Sequence, residues 1–487
     1  METSRPVAVL GSAERLEDFV AKVVQECQNG LPTRVLRLAT QVPWHELGDH
    51  VEQYADRIGA PHSRRDTGVD LRVARAVVTV ERVPGSVLIC GHRTEPPASP
   101  DTSAPLAPPA EAAEVWREAE RLRELLGTGR VPAGKPALIE GLLKHDSWLV
   151  ATLASDVLNR MGVPAVPRFV QDYDPGPGTS GEQPADGTAT EAWEARISVD
   201  EYSFFEAVHP GYAVQMVELG RMILAHAPRL PDRILDVGSG PGLPTVMLAE
   251  LFPDALVDAV EPSPAAFPFL ARNTAGRRIT AHHSGITEFD GPGDYPVSVS
   301  VGASHHLDTR MFLRGLKQHT APGGLVVVAD EMISPFGTEE ERGRIIADHH
   351  LAYIEQTLAH VREDGLPPAE QRRLRAMRGA DSGTDGALHR LLDEVRRDRF
   401  PHPGDESPWQ RVRFTVLELE ALVAGLDYDV ERKTYPANFM ALAKDEGLDV
   451  LAHSRVHATL GTSALDAGTH VFALAVRPPA PTAGTGT

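Results

Sequence analysis

Gly238, Gly240 and Gly242 stand at alternate positions in Arg233-Ile-Leu-Asp-Val-Gly-Ser-Gly-Pro-Gly242, directly after an aspartate and a short apolar run. Glycines so placed let the backbone approach a ligand closely, and a helix opening behind them aims unpaired amides at an anionic or polar group. Ile234, Leu235 and Val237 have the character of a central parallel strand, and residues 244–252, with Val246, Met247, Leu248 and Leu251, carry helical spacing. A dinucleotide fingerprint needs its third glycine at position 243, which is Leu243, so the G-x-G-x-G spacing disfavours NAD. The next strand, 255–260, ends in Glu261, and a carboxylate at that tip can accept both hydroxyls of a ribose. These residues predict a nucleoside with a charged tail. The competing reading is a plain Gly-Pro turn joining strand to helix.

Strand, glycines and distant acid together resemble motif I and the acidic motif II of the class I S-adenosylmethionine-dependent methyltransferases. The resemblance covers 193–335 well and extends more weakly to 476. It implies an α/β fold: a seven-stranded, mostly parallel Rossmann-like sheet with helices on both faces. It also implies S-adenosyl-L-methionine as cofactor. Gly238, Ser239, Gly240 and Gly242 would wrap its methionine portion, Asp236 would touch that end, and Glu261 would hold the ribose. Most relatives place an acid for the adenine amino group after the third strand. Here that segment is His283-Ser284-Gly285-Ile286-Thr287-Glu288, with Gly285 at the expected position, so adenine falls to Ser284 or the backbone around Ile286.

Methyl transfer from a sulfonium is an in-line displacement, so the protein mainly aligns the reactants and excludes water, with a base needed only where the acceptor carries a proton. His305 and His306 in Ser304-His305-His306 are the candidate bases. They follow the fourth strand, where the family's motif IV lies above the methyl group, and imidazole titrates near neutrality. The alternative is that the pair simply opens the next helix. The resemblance also points to Asp330-Glu331-Met332 after the fifth strand as an acceptor-pocket wall, Glu331 above all. Tyr202, Phe205, His209 and Tyr212 belong to a segment that caps the active site in relatives, though aromatics so spaced commonly serve the core. His349, His350 and Tyr353 read as surface or lid residues and are further pocket candidates. The histidine pairs 282–283 and 349–350 lack the i, i+4 or H-E-x-x-H spacing of a metal site, and no metal is expected.

The elements that must hold these residues follow the α/β pattern. Helices are expected at 265–273 and 311–319, and strands at 279–282, 297–301 and 325–329, the last entered through Ala321-Pro-Gly-Gly324. Residues 428–434 and 471–476 are the expected sixth and seventh strands, with a charged helical insertion at about 338–410 between the fifth and sixth. Ahead of this domain (193–477) the sequence predicts a separate α/β and helical amino-terminal region. It comprises a small α/β domain (1–93), a linker rich in Pro, Ala and Ser (94–110), a helical region (111–171) and a second linker (172–192). Residues 478–487 read as a disordered tail.

Lys plus Arg number 48 against 68 Asp plus Glu, a formal charge of −20 that argues against nucleic acid. Cys27 and Cys90 form no disulfide framework. Neither a signal peptide nor a long apolar run is present, so a cytoplasmic protein without membrane contact is expected. The reading is methyl transfer to an oxygen or nitrogen of a small organic acceptor, with specialised metabolism as its setting. Two alternatives stand beside it: a peptide or carrier-bound acceptor docked by the amino-terminal region, and a non-catalytic protein that binds the cofactor or its demethylated product. A homodimer is left open.

Overall fold

The computed structural model describes residues 8–10, 16, 19–23, 33–40, 42–57, 62–64, 68–73, 76–83, 86–93, 105–128, 136–160, 163, 165, 167–171, 210–346, 348–349, 432–458 and 467–478. Near the amino terminus six strands form one sheet in the order β1-β2-β6-β5-β4-β3. They are β1 (Ala8–Leu10), β2 (Thr33–Thr40), β3 (His62–Arg64), β4 (Gly68–Val73), β5 (Ala76–Val83) and β6 (Ser86–Arg93). Leu38, Val69, Leu71, Val78, Val80, Val87 and Ile89 bury one face against Leu47, Val51 and Ala55 of helix α1 (Trp44–Arg57). Val83 lies opposite Ser86, the hairpin that Pro84-Gly85 suggests.

A helical stretch follows: α2 (Ala113–Thr128), α3 (Pro136–Leu142), α4 (Trp148–Arg160) and the short α5 (Arg168–Gln171). It shares a core with the larger sheet. Trp116 is the clearest tie: its indole N–H donates to the Leu251 carbonyl at 3.0 Å, and its ring meets Phe252 edge-on at 6.0 Å. Gly220, in helix α6 (Pro210–His226), is a glycine because a Cβ there would sit 2.7 Å from that indole. Glu250 makes a second tie. Its carboxylate accepts from Ser147 Oγ at 2.7 Å and from the Trp148 and Leu149 amides at 2.9 and 3.1 Å, so one domain's side chain caps a helix of the other stretch. Trp116→Ala is therefore expected to destabilise the protein by about 3–5 kcal/mol, through lost burial and an orphaned carbonyl. Chemical denaturation followed by tryptophan-independent circular dichroism measures it, and a loss under about 1 kcal/mol would mean that the stretch does not support the sheet.

The larger sheet has seven strands in the order β12-β13-β11-β10-β7-β8-β9. Its elements are β7 (Arg233–Val237), α7 (Leu243–Leu251), β8 (Leu256–Glu261), α8 (Phe267–Asn273), β9 (Ile279–His283), β10 (Tyr295–Val301), α9 (Thr309–His319), β11 (Thr320–Met332), α10 (Pro436–Asp445), β12 (Leu448–Ala458) and β13 (Gly468–Val476). All pairings are parallel except those of β13, which runs antiparallel to β11 and β12. Alternation along β11 sends Leu325, Val327 and Ala329 to the face covered by α6 and α7, and Val326 and Val328 to the face covered by α9 and α10. Both faces are buried, which is why the central strands read as continuous apolar runs.

Two expectations change. The sixth strand is Leu448–Ala458, not 428–434. Within that span the described residues 432–434 are an extended connector: the Arg432 amide donates to the His305 carbonyl at 2.7 Å, and the Ile333 amide donates to the Thr434 carbonyl at 3.0 Å. Pro436 then starts a helix, a position where proline's missing N–H costs nothing. The true strand lies at the sheet's edge and carries Asp449, His453, Ser454, Arg455 and His457, so its apolar signal is weak. The turn expected at 321–324 is instead a bulge inside β11, where the pairing jumps from Tyr295↔Thr320 to Val297↔Leu325. Of the insertion at 338–410, residues 338–346 and 348–349 are described, and 339–346 are helical; the remainder, the linker at 172–192 and residues 479–487 lie outside the described residues.

Candidate active site

Strand order reverses around β7, whose neighbours β8 and β10 lead to opposite sides of the sheet. Such a switch point opens a crevice at the carboxyl ends of the strands. Two loops meet there, 238–242 after β7 and 302–306 after β10. Gly238 has φ 72°, Gly240 φ 54° and Gly242 φ 97°, a left-handed run that side chains resist. A Cβ on Gly238 would lie 2.3 Å from that of Ala303, so the turn packs directly on the histidine loop. The Gly238 and Ser239 amides donate to the Val260 carbonyl at 2.9 and 3.2 Å, fixing the turn to β8.

Glu261 completes this side. Its two oxygens accept from the Gly240 amide at 2.7 Å and the Ser263 amide at 2.8 Å. A carboxylate offers about four acceptor positions, so this anchoring is compatible with a diol at the same group. Asp236 is buried and accepts from Thr245 Oγ1 at 2.5 Å. Burial pushes its carboxyl up to about 6, and the hydrogen bond from Thr245 only partly offsets this. An acid raised in the folded state binds protons more readily there than in the unfolded chain. Its presence makes stability fall as pH rises from about 4 to about 6, with a cost near 3 kcal/mol above that window. Asp236→Asn is expected to raise the melting temperature of the ligand-free protein at about pH 7.5, with little effect below about pH 4, while weakening cofactor binding. Thermal scans at both pH values test it, and an equal shift at each would refute the assignment.

At the β9 end, Ser284 Oγ donates to the Gly285 carbonyl at 3.1 Å, and the Ser284 amide donates to the Glu261 carbonyl at 3.2 Å. Ile286 turns its side chain into the core against Gly315. The Glu288 carboxylate occupies the space that a side chain at Gly285 would take, and it accepts from Thr287 Oγ1 at 2.8 Å. His282 and His283 part: the first bonds Asp258 Oδ1 at 2.8 Å, and the second stacks on Phe267 at 4.8 Å.

The facing wall is built by β10, β11 and the 432–434 connector. Asp330, 1% exposed, receives His305 Nδ1 at 2.8 Å, the Ser304 hydroxyl, and the Glu331 amide at 2.7 Å. Burial pushes its carboxyl up, but the His305 charge and these hydrogen bonds outweigh it and hold the group below its ordinary range. His306 lies 4.2 Å from His305, ring to ring. Ser304–His306 form a short turn, and α9 begins only after Asp308, which caps the Arg310 and Met311 amides. Glu331 pairs with Lys433 Nζ at 2.8 Å, and Lys433 is 4% exposed. Tyr212 stands beside Gly302. The remaining pocket candidates, Tyr202, Phe205, His209, His350 and Tyr353, lie outside the described residues. Sequence reasoning missed Lys433, Thr245 and the role of Asp330 as partner of His305.

Glycine cradle, acidic strand tip and the wall of Asp330, Glu331 and Lys433 lie at the carboxyl ends of the strands, and the residues present fit a sulfonium nucleoside. Residues 234–324 match the methyltransferase-domain family. The seven-stranded region therefore contains a methyltransferase domain. The glycine turn and the Glu261 carboxylate fit S-adenosylmethionine as its cofactor. No curated protein sequence matches the chain. Among solved structures the methyltransferase is similar to the N-methyltransferase NodS from Bradyrhizobium japonicum, at 12% identity over 55% of this chain and 98% of that one, TM-score 0.28. It is similar also to the 1,6-didemethyltoxoflavin-N1-methyltransferase of Burkholderia thailandensis, at 16% identity over 61% and 93%, TM-score 0.29. A third is the sugar N-methyltransferase KedS8 from a Streptoalloteichus species, at 21% identity over 26% of this chain and 56% of that one, TM-score 0.22. Likeness this distant carries nothing about the acceptor.

Proposed function

We propose that the enzyme transfers the methyl group to an oxygen or nitrogen of a small organic acceptor, with His305 receiving the acceptor's proton. The observation that carries this is the His305–Asp330 pair, 2.8 Å apart, on the loop that packs against the glycine turn through Ala303 and Gly238. S-adenosylmethionine supplies the methyl group and leaves as S-adenosylhomocysteine. With Nδ1–H donated to Asp330, His305 presents the lone pair of Nε2, the form a general base needs. Asp330 orients the ring and stabilises the imidazolium once the proton has moved; Ser304 and the Glu331 amide keep the carboxylate in place. The glycine turn and Glu261 fix the donor side, and Glu331 with Lys433 walls the acceptor side.

The formal charge of −20 supports a small molecule over nucleic acid as acceptor. Incubating the protein with S-adenosylmethionine labelled in its methyl group and a bacterial metabolite extract, then separating by mass, tests the class. Label is expected in the low-mass fraction. Label confined to protein or nucleic acid would refute a small acceptor.

A further inference from the structure

The loop after β11 carries Phe336, whose ring meets Tyr435 edge-on at 5.3 Å, while the Arg342 guanidinium lies 6.0 Å over it. The helical residues 339–346 that follow are pinned to the sheet by Ile346, which is fully buried. His349 lies three positions on, on the same helical face as Ile346, and is itself 8% exposed. Its Nδ1 is buried with no hydrogen-bond partner among the described residues. The ring senses both charges of the Glu331–Lys433 pair, the carboxylate favouring and the ammonium opposing its protonation, with burial as the stronger effect holding it neutral. A buried imidazole nitrogen without a partner, within electrostatic reach of the Glu331–Lys433 pair, calls for a hydrogen-bonding atom.

We infer that His349 is a specificity residue that binds a second hydroxyl of an uncharged acceptor, remote from the atom methylated. The inference rests on the acceptor wall assigned above. A hydroxyl suits either imidazole tautomer because it both donates and accepts. An anionic acceptor fits less well: the ammonium of Lys433, 4% exposed, is already paired with Glu331 at 2.8 Å, and an anion would have to compete with that carboxylate. A cationic one would meet Lys433 itself.

The test uses the full chain saturated with S-adenosylhomocysteine and two matched probe pairs, catechol with phenol and trans-1,2-cyclohexanediol with cyclohexanol. Calorimetry is expected to show each diol binding about tenfold more tightly than its mono-ol, the effect of one hydrogen bond to an otherwise unpartnered buried group. In histidine-labelled protein the His349 nitrogen resonances should move with the diols only. His349→Phe should abolish the preference and His349→Gln, which still donates and accepts, should retain part of it, both with unchanged affinity for S-adenosylhomocysteine. Equal affinity within the pairs, no binding by any of the four probes, or a preference that survives His349→Phe overturns the subsite. Failure of wild-type protein to bind S-adenosylhomocysteine is a separate result, and it overturns the cofactor reading together with the subsite.

Discussion

Gly238→Val is expected to eliminate measurable binding of S-adenosylmethionine and S-adenosylhomocysteine, a loss exceeding about 100-fold or about 2.7 kcal/mol. Two effects combine. At φ 72° a β-branched residue is a conformational outlier, costing on the order of 1–2 kcal/mol before any contact is considered. Its Cβ would also lie 2.3 Å from the Cβ of Ala303, an atom one bond from its backbone that cannot swing aside. The turn must therefore shift, and the shift passes to the Gly240 amide that Glu261 holds at 2.7 Å. Gly276→Ala is the control. Gly276 has φ 75° but nothing within 4 Å of a Cβ, so its substitution should lower the melting temperature modestly and leave binding intact. Calorimetric titration of both variants checks the pair. Gly238→Val protein that binds within about threefold of wild type would remove the glycine turn from the cofactor site.

Why the cofactor side was legible and the acceptor side was not follows from where each is encoded. Gly238, Gly240, Gly242, Asp236 and Glu261 fall within one strand-turn-helix-strand unit, where φ constraints and alternation tie residue type to position. Lys433 reaches the wall only because the chain returns there far along the sequence, and nothing local marks it. Lys433 sits in a stretch whose Tyr, Val and Thr residues resemble a strand, while the actual strand at 448–458 hides its pattern behind a half-polar edge. Asp330 was visible as an acid but not as the partner of His305. That pairing requires β10 and β11 to be parallel neighbours, with Val301 beside Ala329, so that the loop after one strand meets the tip of the other. The shared core around Trp116 was equally hidden, since helical spacing says which face is apolar and not what covers it.

The second large effect concerns the pair that this neighbourhood creates. His305→Ala is expected to reduce kcat by about 10²–10⁴-fold with cofactor affinity within about twofold of wild type, because the imidazole acts on the acceptor's proton and not on the nucleoside. Asp330→Asn should give a comparable though smaller loss. The amide preserves the volume but can present N–H to Nδ1, reversing the tautomer so that Nε2 carries the proton and cannot accept one from the acceptor, and it no longer stabilises the imidazolium. The pH profile separates the two roles. Asp330 is held below its ordinary carboxylate range, so it does not supply an acid limb of kcat/KM near neutrality, and any such limb belongs to the base. That limb should vanish in His305→Ala, whose residual rate comes from alignment alone, and it should persist in Ser304→Ala, which removes one hydrogen bond to Asp330 and no titrating group. His306→Ala discriminates within the histidine pair, since its neighbour alone is bonded to Asp330 in the described contacts and should keep most activity when His306 is removed. Unchanged turnover in His305→Ala, His306→Ala and the double variant would exclude imidazole as base and leave an acceptor that has no proton to lose.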